Sequence, residues 1–161
     1  MRGSRPLTRF QVTVLLIATV TFAADQPVPF SHKQHIALTL KCKDCHANPD
    51  PGESMGLPAA SKCMACHVSI ATDKPAIRKL KSFAKEPIPW VPVFQVPSTI
   101  VFSHRVHLDR GVACDACHAA VSRSDALTPK DLNISMGTCI ACHQKSRVSI
   151  NCKTCHEDLE R

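Results

Sequence analysis

The chain has 161 residues, of which 4% are aromatic and none is tyrosine, whereas ten are cysteine, twelve proline and nine histidine. This length suits one domain or two very small ones, and so few aromatic side chains exclude a conventional core of large apolar residues. The net charge is +7, but the basic residues are scattered apart from a cluster at Arg78, Lys79, Lys81 and Lys85. They form no stripe interleaved with aromatic residues, which excludes a nucleic-acid-binding protein.

Residues 1–23 have the features of an export signal. The segment MRGSRPLTR carries three arginines and no acidic residue, and the apolar run FQVTVLLIATVTFA follows it. That run is shorter than the ~20 residues that span a bilayer, and Thr21 and Ala23 provide small residues for cleavage after Ala23. We expect a periplasmic or cell-envelope protein with no membrane span after cleavage; a retained N-terminal anchor is the alternative.

The mature sequence contains one arrangement twice. FSHKQHIALTLKCKDCHA occupies residues 30–47, and FSHRVHLDRGVACDACHA occupies residues 102–119. Matched phenylalanine, serine, histidine and cysteine residues indicate a duplicated structural unit. We therefore predict a first repeat at 24–72, a connecting segment at 73–99 and a second repeat at 100–161.

The connecting segment begins with a predicted helix in DKPAIRKLKSFAKE. Its apolar residues recur at helical spacing, at Ile77, Leu80 and Phe83. Asp73 is the expected cap of this helix, and Pro75 is expected in its first turn.

Four prolines in EPIPWVPVFQVP predict an extended, semi-rigid linker after that helix. Trp90, the only tryptophan, is expected to pack this linker onto one of the repeats. Elsewhere the sequence predicts short helices around the cysteine motifs, loops rich in turn-forming residues and almost no sheet. The expected fold is small, mostly α-helical and loop-rich.

All ten cysteines belong to five Cys-x-x-Cys-His motifs, the pattern typical of covalent haem c attachment. Residues three apart lie on one face of a helical turn, so both thiols can reach the two vinyl groups on one edge of a haem, and the next histidine binds the iron. The cysteine pairs are Cys42 and Cys45, Cys63 and Cys66, Cys114 and Cys117, Cys139 and Cys142, and Cys152 and Cys155. The proximal histidines are His46, His67, His118, His143 and His156. We expect five covalently attached haem c groups.

Three other interpretations of the cysteines fit the sequence less well. A disulfide framework suits an exported, cysteine-rich chain, but it does not need a histidine after every second cysteine. Zinc sites use Cys-x-x-Cys pairs, yet they do not need an adjacent histidine five times. Thioredoxin-like redox motifs occur singly and in an α/β setting. The recurrent histidine therefore favours haem.

Four histidines remain, in two matched pairs ahead of haem motifs: His32, His35, His104 and His107. Each iron with a proximal histidine keeps one axial site, so these four are candidate distal ligands. Two histidines on one helical turn lie about 5–6 Å apart at Cβ and cannot conveniently serve the same iron. Each pair is therefore expected to bridge two haems.

The pattern FSHxxH, a short spacer and CxxCH resembles the class III multihaem cytochromes c, the cytochrome c3 and c7 group, over about residues 28–70 and 100–158. The resemblance implies that the first histidine of each pair binds the haem of the next motif, and that the second reaches a later haem in the same half. The resemblance implies that His32 binds the haem at Cys42/Cys45 and that His104 binds the haem at Cys114/Cys117. It also implies that His35 binds the haem at Cys63/Cys66 and that His107 binds the haem at Cys152/Cys155.

A fifth distal ligand is not supplied by histidine. Methionine, lysine, an amine or no ligand are the options that remain. Met55 and Met136 each precede the second motif of their half, whereas Met64 lies inside a motif and is badly placed to turn back. We favour Met136 over Met55, because this pairing leaves the haem at Cys139/Cys142 without a distal histidine. A packing role for either methionine is an equal alternative.

Irons with two histidine ligands have both axial sites filled, which suits electron transfer and predicts a carrier with no catalytic residue. Redox proteins are the expected partners. LNISMGTCIACHQ is also similar to segments of pentahaem subunits in membrane quinol-oxidising complexes of the alternative complex III type, which implies such a complex as a partner. The alternatives are a reductase of a small nitrogen or sulfur oxyanion at the haem without a strong distal ligand, and a haem-wire subunit of a membrane complex or filament. The sequence has no evident cluster of oxyanion-binding residues, which favours the carrier.

Overall fold

The computed structural model describes residues 25–156, which fold into short helices joined by loops. The α-helices are α1 (His32–Ala37), α2 (Cys42–Cys45), α3 (Ala60–His67), α4 (Pro75–Ser82), α5 (His104–Asp109), α6 (Asp115–His118) and α7 (Met136–Lys145). Three 3₁₀ turns lie at Val121–Arg123, Pro129–Asp131 and Cys152–Thr154. The predicted mostly-α, loop-rich fold is confirmed, since no strand occurs between residues 25 and 156.

The predicted export signal lies outside the described residues. Within residues 25–156, no helix is both long enough and apolar enough to span a bilayer.

The two copies of the FSHxxH motif have the same local structure. In α1 the N-cap Ser31 accepts a hydrogen bond from the backbone N–H of Gln34 at 3.1 Å. In α5 the N-cap Ser103 accepts from the N–H of Val106 at 3.4 Å. Serine satisfies one of the unpaired N–H groups of the first turn, so each helix begins at the first histidine of its pair.

Polar caps also start the helical turns of three cysteine motifs. The carboxylate of Asp44 accepts from the N–H of Lys41 at 2.7 Å ahead of α2. Ser135 caps α7, and Asn151 caps the 3₁₀ turn at Cys152–Thr154. These caps place each cysteine pair on a tight helical turn, as the spacing predicts.

The predicted connecting helix is present as α4, with Pro75 in its first turn as expected. The prediction that Asp73 caps it was wrong by one residue. Lys74 is the N-cap, in the extended conformation (φ −70°, ψ 136°) that a following proline favours, and it makes no side-chain cap. The carbonyl of Asp73 instead accepts a hydrogen bond from the guanidinium of Arg78.

A small apolar core joins α3, α4 and the proline-rich linker. Its buried members are Val28, Ala60, Ile77, Leu80 and Ile88. Phe83 and Trp90 are partly buried against it, and the indole Nε1–H of Trp90 donates to the carbonyl of Pro58 at 2.8 Å. The prediction that Trp90 packs the linker onto one repeat is therefore confirmed, and the repeat is the first one.

Hydrogen bonds tie the two repeats together in two places. At the first, the N–H of Lys33 in α1 donates to the carbonyl of Ser124 at 3.2 Å, and the Ser31 hydroxyl donates to Asp125 at 2.7 Å. At the second, the N–H of Arg105 in α5 donates to the carbonyl of Gly52 at 2.9 Å. Helices α1 and α5 are therefore each hydrogen-bonded to a loop of the other repeat.

The second contact depends on a glycine. Gly52 is buried with φ +98°, a backbone conformation that L side chains rarely adopt. A Cβ at this position would lie 2.6 Å from the Cβ of Arg105. The guanidinium of Arg105 also donates to the carbonyl of Asn48 at 3.1 Å and contacts the carboxylate of Asp50. Only a residue without a side chain allows this close approach between loop and helix.

Candidate haem-binding site

Three histidine pairs face each other at one characteristic distance. The ring centroids lie 6.3 Å apart for His32 and His46, with the ring planes 10° from parallel. The separations are 6.1 Å for His35 and His67 and 6.2 Å for His107 and His143. Two imidazoles that bind one metal ion from opposite sides, each through a bond of about 2 Å, hold their ring centres about 6 Å apart. The spacing therefore fits one iron between each pair.

The fourth distal candidate, His104, lies near His118. The pKa of the His118 imidazole is lowered by burial, then by the nearby charge of His104 and, after that, of His46. Burial also lowers the pKa of His32, and His46 and His35 lower it further. A lowered pKa keeps these imidazoles neutral at neutral pH, and neutral imidazole is the form that binds a metal.

Seven of the nine histidines make a hydrogen bond between the ring Nδ1 and a backbone carbonyl. The carbonyls belong to Ser31 for His35, Gly56 for His46, Ile70 for His67, Glu53 for His104, Ser103 for His107, Ser149 for His143 and Thr99 for His156. A carbonyl only accepts, so Nδ1 must carry the proton and Nε2 keeps its lone pair. This is the arrangement that orients metal-binding histidines and raises their basicity.

One phenylalanine packs against both histidines of each pair. The Phe30 ring lies edge-on to His32 at 4.8 Å and is stacked on His35 at 4.3 Å. Phe102 repeats this arrangement with His104 and His107, at 4.8 Å in both cases. Each phenylalanine therefore fixes the orientation of two distal candidates at once.

The thiols of different motifs lie close together. Burial raises the pKa of the Cys42 thiol, and Cys114 raises it further through its charge and a hydrogen bond. Burial is likewise the main reason for the raised pKa of Cys45, Cys63, Cys117 and Cys139, and in each case a cysteine of another motif adds to it. The cysteines of different motifs that are linked by these pKa shifts are Cys63/Cys66 with Cys42/Cys45, Cys42 with Cys114, Cys117 with Cys139/Cys142, and Cys139 with Cys155.

His107 meets His143 and not His156. This differs from the sequence-based expectation that His107 would serve the haem at Cys152/Cys155. The reason lies in the fold: α7 carries His143 past α5, whereas the last motif is held against residues 99–101, where the N–H of Val101 donates to the carbonyl of Cys155 at 2.9 Å. The unmatched proximal histidine is therefore His156.

The methionines occupy three different environments. Met136 is 67% exposed at the first position of α7, and the reason for choosing it disappears once His107 faces His143. Met55 lines a cavity together with His46 and Arg105. Met64 packs against the apolar core. Ligation by Met136 or Met55 stays a prediction.

Sequence reasoning missed the groups that orient the histidines. Phe30 and Phe102 had no role assigned, although their repetition ahead of both histidine pairs was a usable signal. The carbonyls of Glu53 and Gly56 had no signal at all, because backbone acceptors in loops depend on the tertiary fold. Within the described residues, no three His, Cys, Asp or Glu side chains cluster as a metal site.

Two protein-family models match the chain. The model of the class III cytochrome C family matches residues 15–89, and the model of cytochrome c7 and related cytochrome c matches residues 100–157. No curated protein matches the sequence. The two matched regions together contain all five Cys-x-x-Cys-His motifs and all four remaining histidines.

Proposed function

We propose that this chain, a class III multihaem cytochrome c of the c3/c7-like group, holds five haem c groups. It transfers electrons between redox proteins in the periplasm or cell envelope. The observation that carries the proposal is the spacing of 6.1–6.3 Å between facing histidine rings in three pairs. Haem c supplies one-electron chemistry at its iron when it is bound. The ten cysteines and nine histidines supply its attachment and its axial ligands.

The chain's own residues divide into four bis-histidine sites and one further site. The proposed axial pairs are His46 with His32, His67 with His35, His118 with His104, and His143 with His107. In each pair at least one ring is oriented through Nδ1 by a backbone carbonyl. Rings held in this way would stay in place when an iron is oxidised or reduced, which would lower the reorganisation that electron transfer requires.

Contacts between motifs support a continuous electron path. The cysteines that shift each other's pKa support the spatial order Cys63/Cys66, Cys42/Cys45, Cys114/Cys117, Cys139/Cys142 and Cys152/Cys155. The two repeats meet in the middle of this order, at Cys42 and Cys114. We therefore place the transfer between repeats at these two motifs.

A carrier is favoured over a reductase, since cytochromes of the c3 and c7 families carry electrons. Family members are typically periplasmic, and the arginine-rich, apolar N-terminus supports export. Donors and acceptors are redox proteins, and the similarity of LNISMGTCIACHQ to quinol-oxidising complexes makes such a complex a candidate partner. In that setting the haems would form a fixed wire within an assembly.

Intact mass spectrometry combined with optical spectroscopy of the exported protein tests the proposal. We expect the mass of five covalent haems and an oxidised spectrum dominated by low-spin, six-coordinate haem. A fully processed protein with four haems or fewer would contradict the count. A mainly high-spin spectrum would contradict the histidine pairs.

A further inference from the structure

The allocation of histidines leaves the last motif in a different state from the other four. His32, His35 and His107 each face a proximal ring at 6.1–6.3 Å, and His104 lies near His118. The sequence has nine histidines in all, so none remains to face His156. The iron that Cys152, Cys155 and His156 would hold therefore has no histidine for its distal side.

The proximal side of this site is also held more weakly. The Nδ1 of His156 lies 3.3 Å from the carbonyl of Thr99, whereas the other six such contacts measure 2.7–3.0 Å. A hydrogen bond from the ring N–H raises the basicity of the metal-binding nitrogen. The Thr99 contact of His156 is therefore the weakest of the seven Nδ1 hydrogen bonds.

Three apolar, solvent-accessible residues are next to the last motif, one through a backbone hydrogen bond and two in sequence. Val101 donates its backbone N–H to Cys155, and Val148 and Ile150 precede the motif in sequence. Each of these three side chains is 49% exposed. The polarity and access of the distal side decide which ligand a haem iron binds, and exposed apolar side chains next to the motif favour a small neutral ligand from solvent.

From these observations we propose that the haem of Cys152, Cys155 and His156 binds a small neutral diatomic molecule, of the class to which carbon monoxide and nitric oxide belong. The inference rests on the proposed function, because it needs a haem at this motif. Binding forms one coordinate bond to the ferrous iron and transfers no electron or proton. The four bis-histidine irons bind no such molecule, since both axial positions are filled.

Titration of the dithionite-reduced holoprotein with carbon monoxide tests the proposal. We expect one equivalent to bind per protein. The Cys152→Ala/Cys155→Ala double variant should lose this binding together with one haem. The Cys63→Ala/Cys66→Ala variant is the matched control: it also loses one haem, from the other end of the motif order, but should keep the carbon monoxide equivalent.

The outcomes separate this inference from the proposed function. Five haems by mass with no carbon monoxide binding would overturn the inference and leave the electron-transfer proposal intact. Retention of the equivalent in the Cys152→Ala/Cys155→Ala variant would likewise overturn it. A wild-type protein with fewer than five haems would contradict the proposed count, and peptide masses showing Cys152 and Cys155 unmodified would overturn both.

A second route avoids any variant that fails to mature. In the wild-type ferrous protein, resonance Raman spectroscopy should show the iron–histidine stretch of one five-coordinate haem or the exchange of one weak ligand for carbon monoxide. His107→Ala should then raise the carbon monoxide stoichiometry from one equivalent to two. An unchanged single equivalent in His107→Ala would show that His107 ligates no iron, and the allocation of histidines on which the inference rests would fall.

Discussion

The imidazole Nδ1–H of His104 donates a hydrogen bond to the carbonyl oxygen of Glu53 at 2.7 Å, although 51 residues separate the two. The backbone N–H of His104 donates to the same carbonyl at 3.2 Å. His35 and His107, by contrast, use carbonyls at the start of their own helices. A loop of the first repeat therefore orients a proposed iron ligand of the second, next to the motifs at which the repeats meet.

Gly52→Ala should disturb the haem that His104 serves. The added Cβ would lie 2.6 Å from Arg105, so loop and helix must separate and the neighbouring Glu53 carbonyl must move. We expect a high-spin fraction at the haem of Cys114/Cys117, visible by electron paramagnetic resonance, and a lower unfolding midpoint.

Gly111→Ala is the matched control for that variant. Gly111 also has positive φ, +74°, but a Cβ there would meet nothing within 4 Å. Both variants carry the backbone strain of about 1 kcal/mol or more that alanine has in this region. Equal spectra for the two variants would show that the contact with Arg105 does not position His104.

His35→Ala should convert the haem of Cys63/Cys66 to high spin and leave the nearer haem of Cys42/Cys45 low-spin. The His35 ring faces His67 at 6.1 Å, whereas His46 is already paired with His32. Paramagnetic NMR of the oxidised protein distinguishes the two haems by their shifted methyl resonances. His32→Ala should give the reverse pattern, and a change confined to the Cys42/Cys45 haem in His35→Ala would refute the bridging arrangement.

Phe30→Leu should loosen two distal ligands at once. Leucine keeps an apolar side chain but removes the ring that stacks on His35 and meets His32 edge-on. We expect partial high-spin character at both haems of the first repeat and a loss of stability below the 3–5 kcal/mol typical of a fully buried Phe→Ala change, since Phe30 is only half-buried. Phe102→Leu should give the same effect in the second repeat and none in the first.

Acid should remove one contribution to stability that Asp131 makes. The N–H of Thr128, then the hydroxyl of Ser124, hold the pKa of this carboxyl below its ordinary value of 3.8. The folded state therefore binds this proton less readily than the unfolded one. The stabilisation is fully present above pH ~4 and is lost as pH falls through the lowered pKa.

Comparison with Asp131→Asn isolates that contribution from acid effects on the haem ligands. The difference in unfolding midpoint between wild type and variant should be constant from about pH 5 to 7, where an ordinary carboxyl group is already ionised. It should shrink below pH ~4, as the carboxyl group becomes protonated. A difference that grows as pH falls would contradict the assignment.

The proposed haem attachment is the part of this protein that depends least on the tertiary fold. The predicted attachment by Cys42 and Cys45, and the predicted proximal ligation by His46, follow from residues that are adjacent in the chain. The helical turns at FSHxxH could also be predicted from local sequence, because Ser31 and Ser103 cap them. Such features need no knowledge of how distant segments pack.

The partner of His107 could not be derived in the same way. It depends on where α7 passes α5, and two candidate motifs follow His107 at similar distances along the chain. The capping of α4 failed for a related reason: Lys74 is extended ahead of Pro75, which moves the cap by one residue. The Glu53 carbonyl is a backbone group in a loop and has no side-chain signature.

The most direct test of the histidine pairing is one distance in an experimental structure of the holoprotein, from the Nε2 of His107 to the nearest iron. The account predicts that the Nε2 of His107 lies about 2 Å from the iron bound by His143, a normal metal–imidazole bond. The iron bound by His156 should then have no histidine on its distal side. Coordination of the His156 iron by His107 would contradict the pairing and the inference drawn from it.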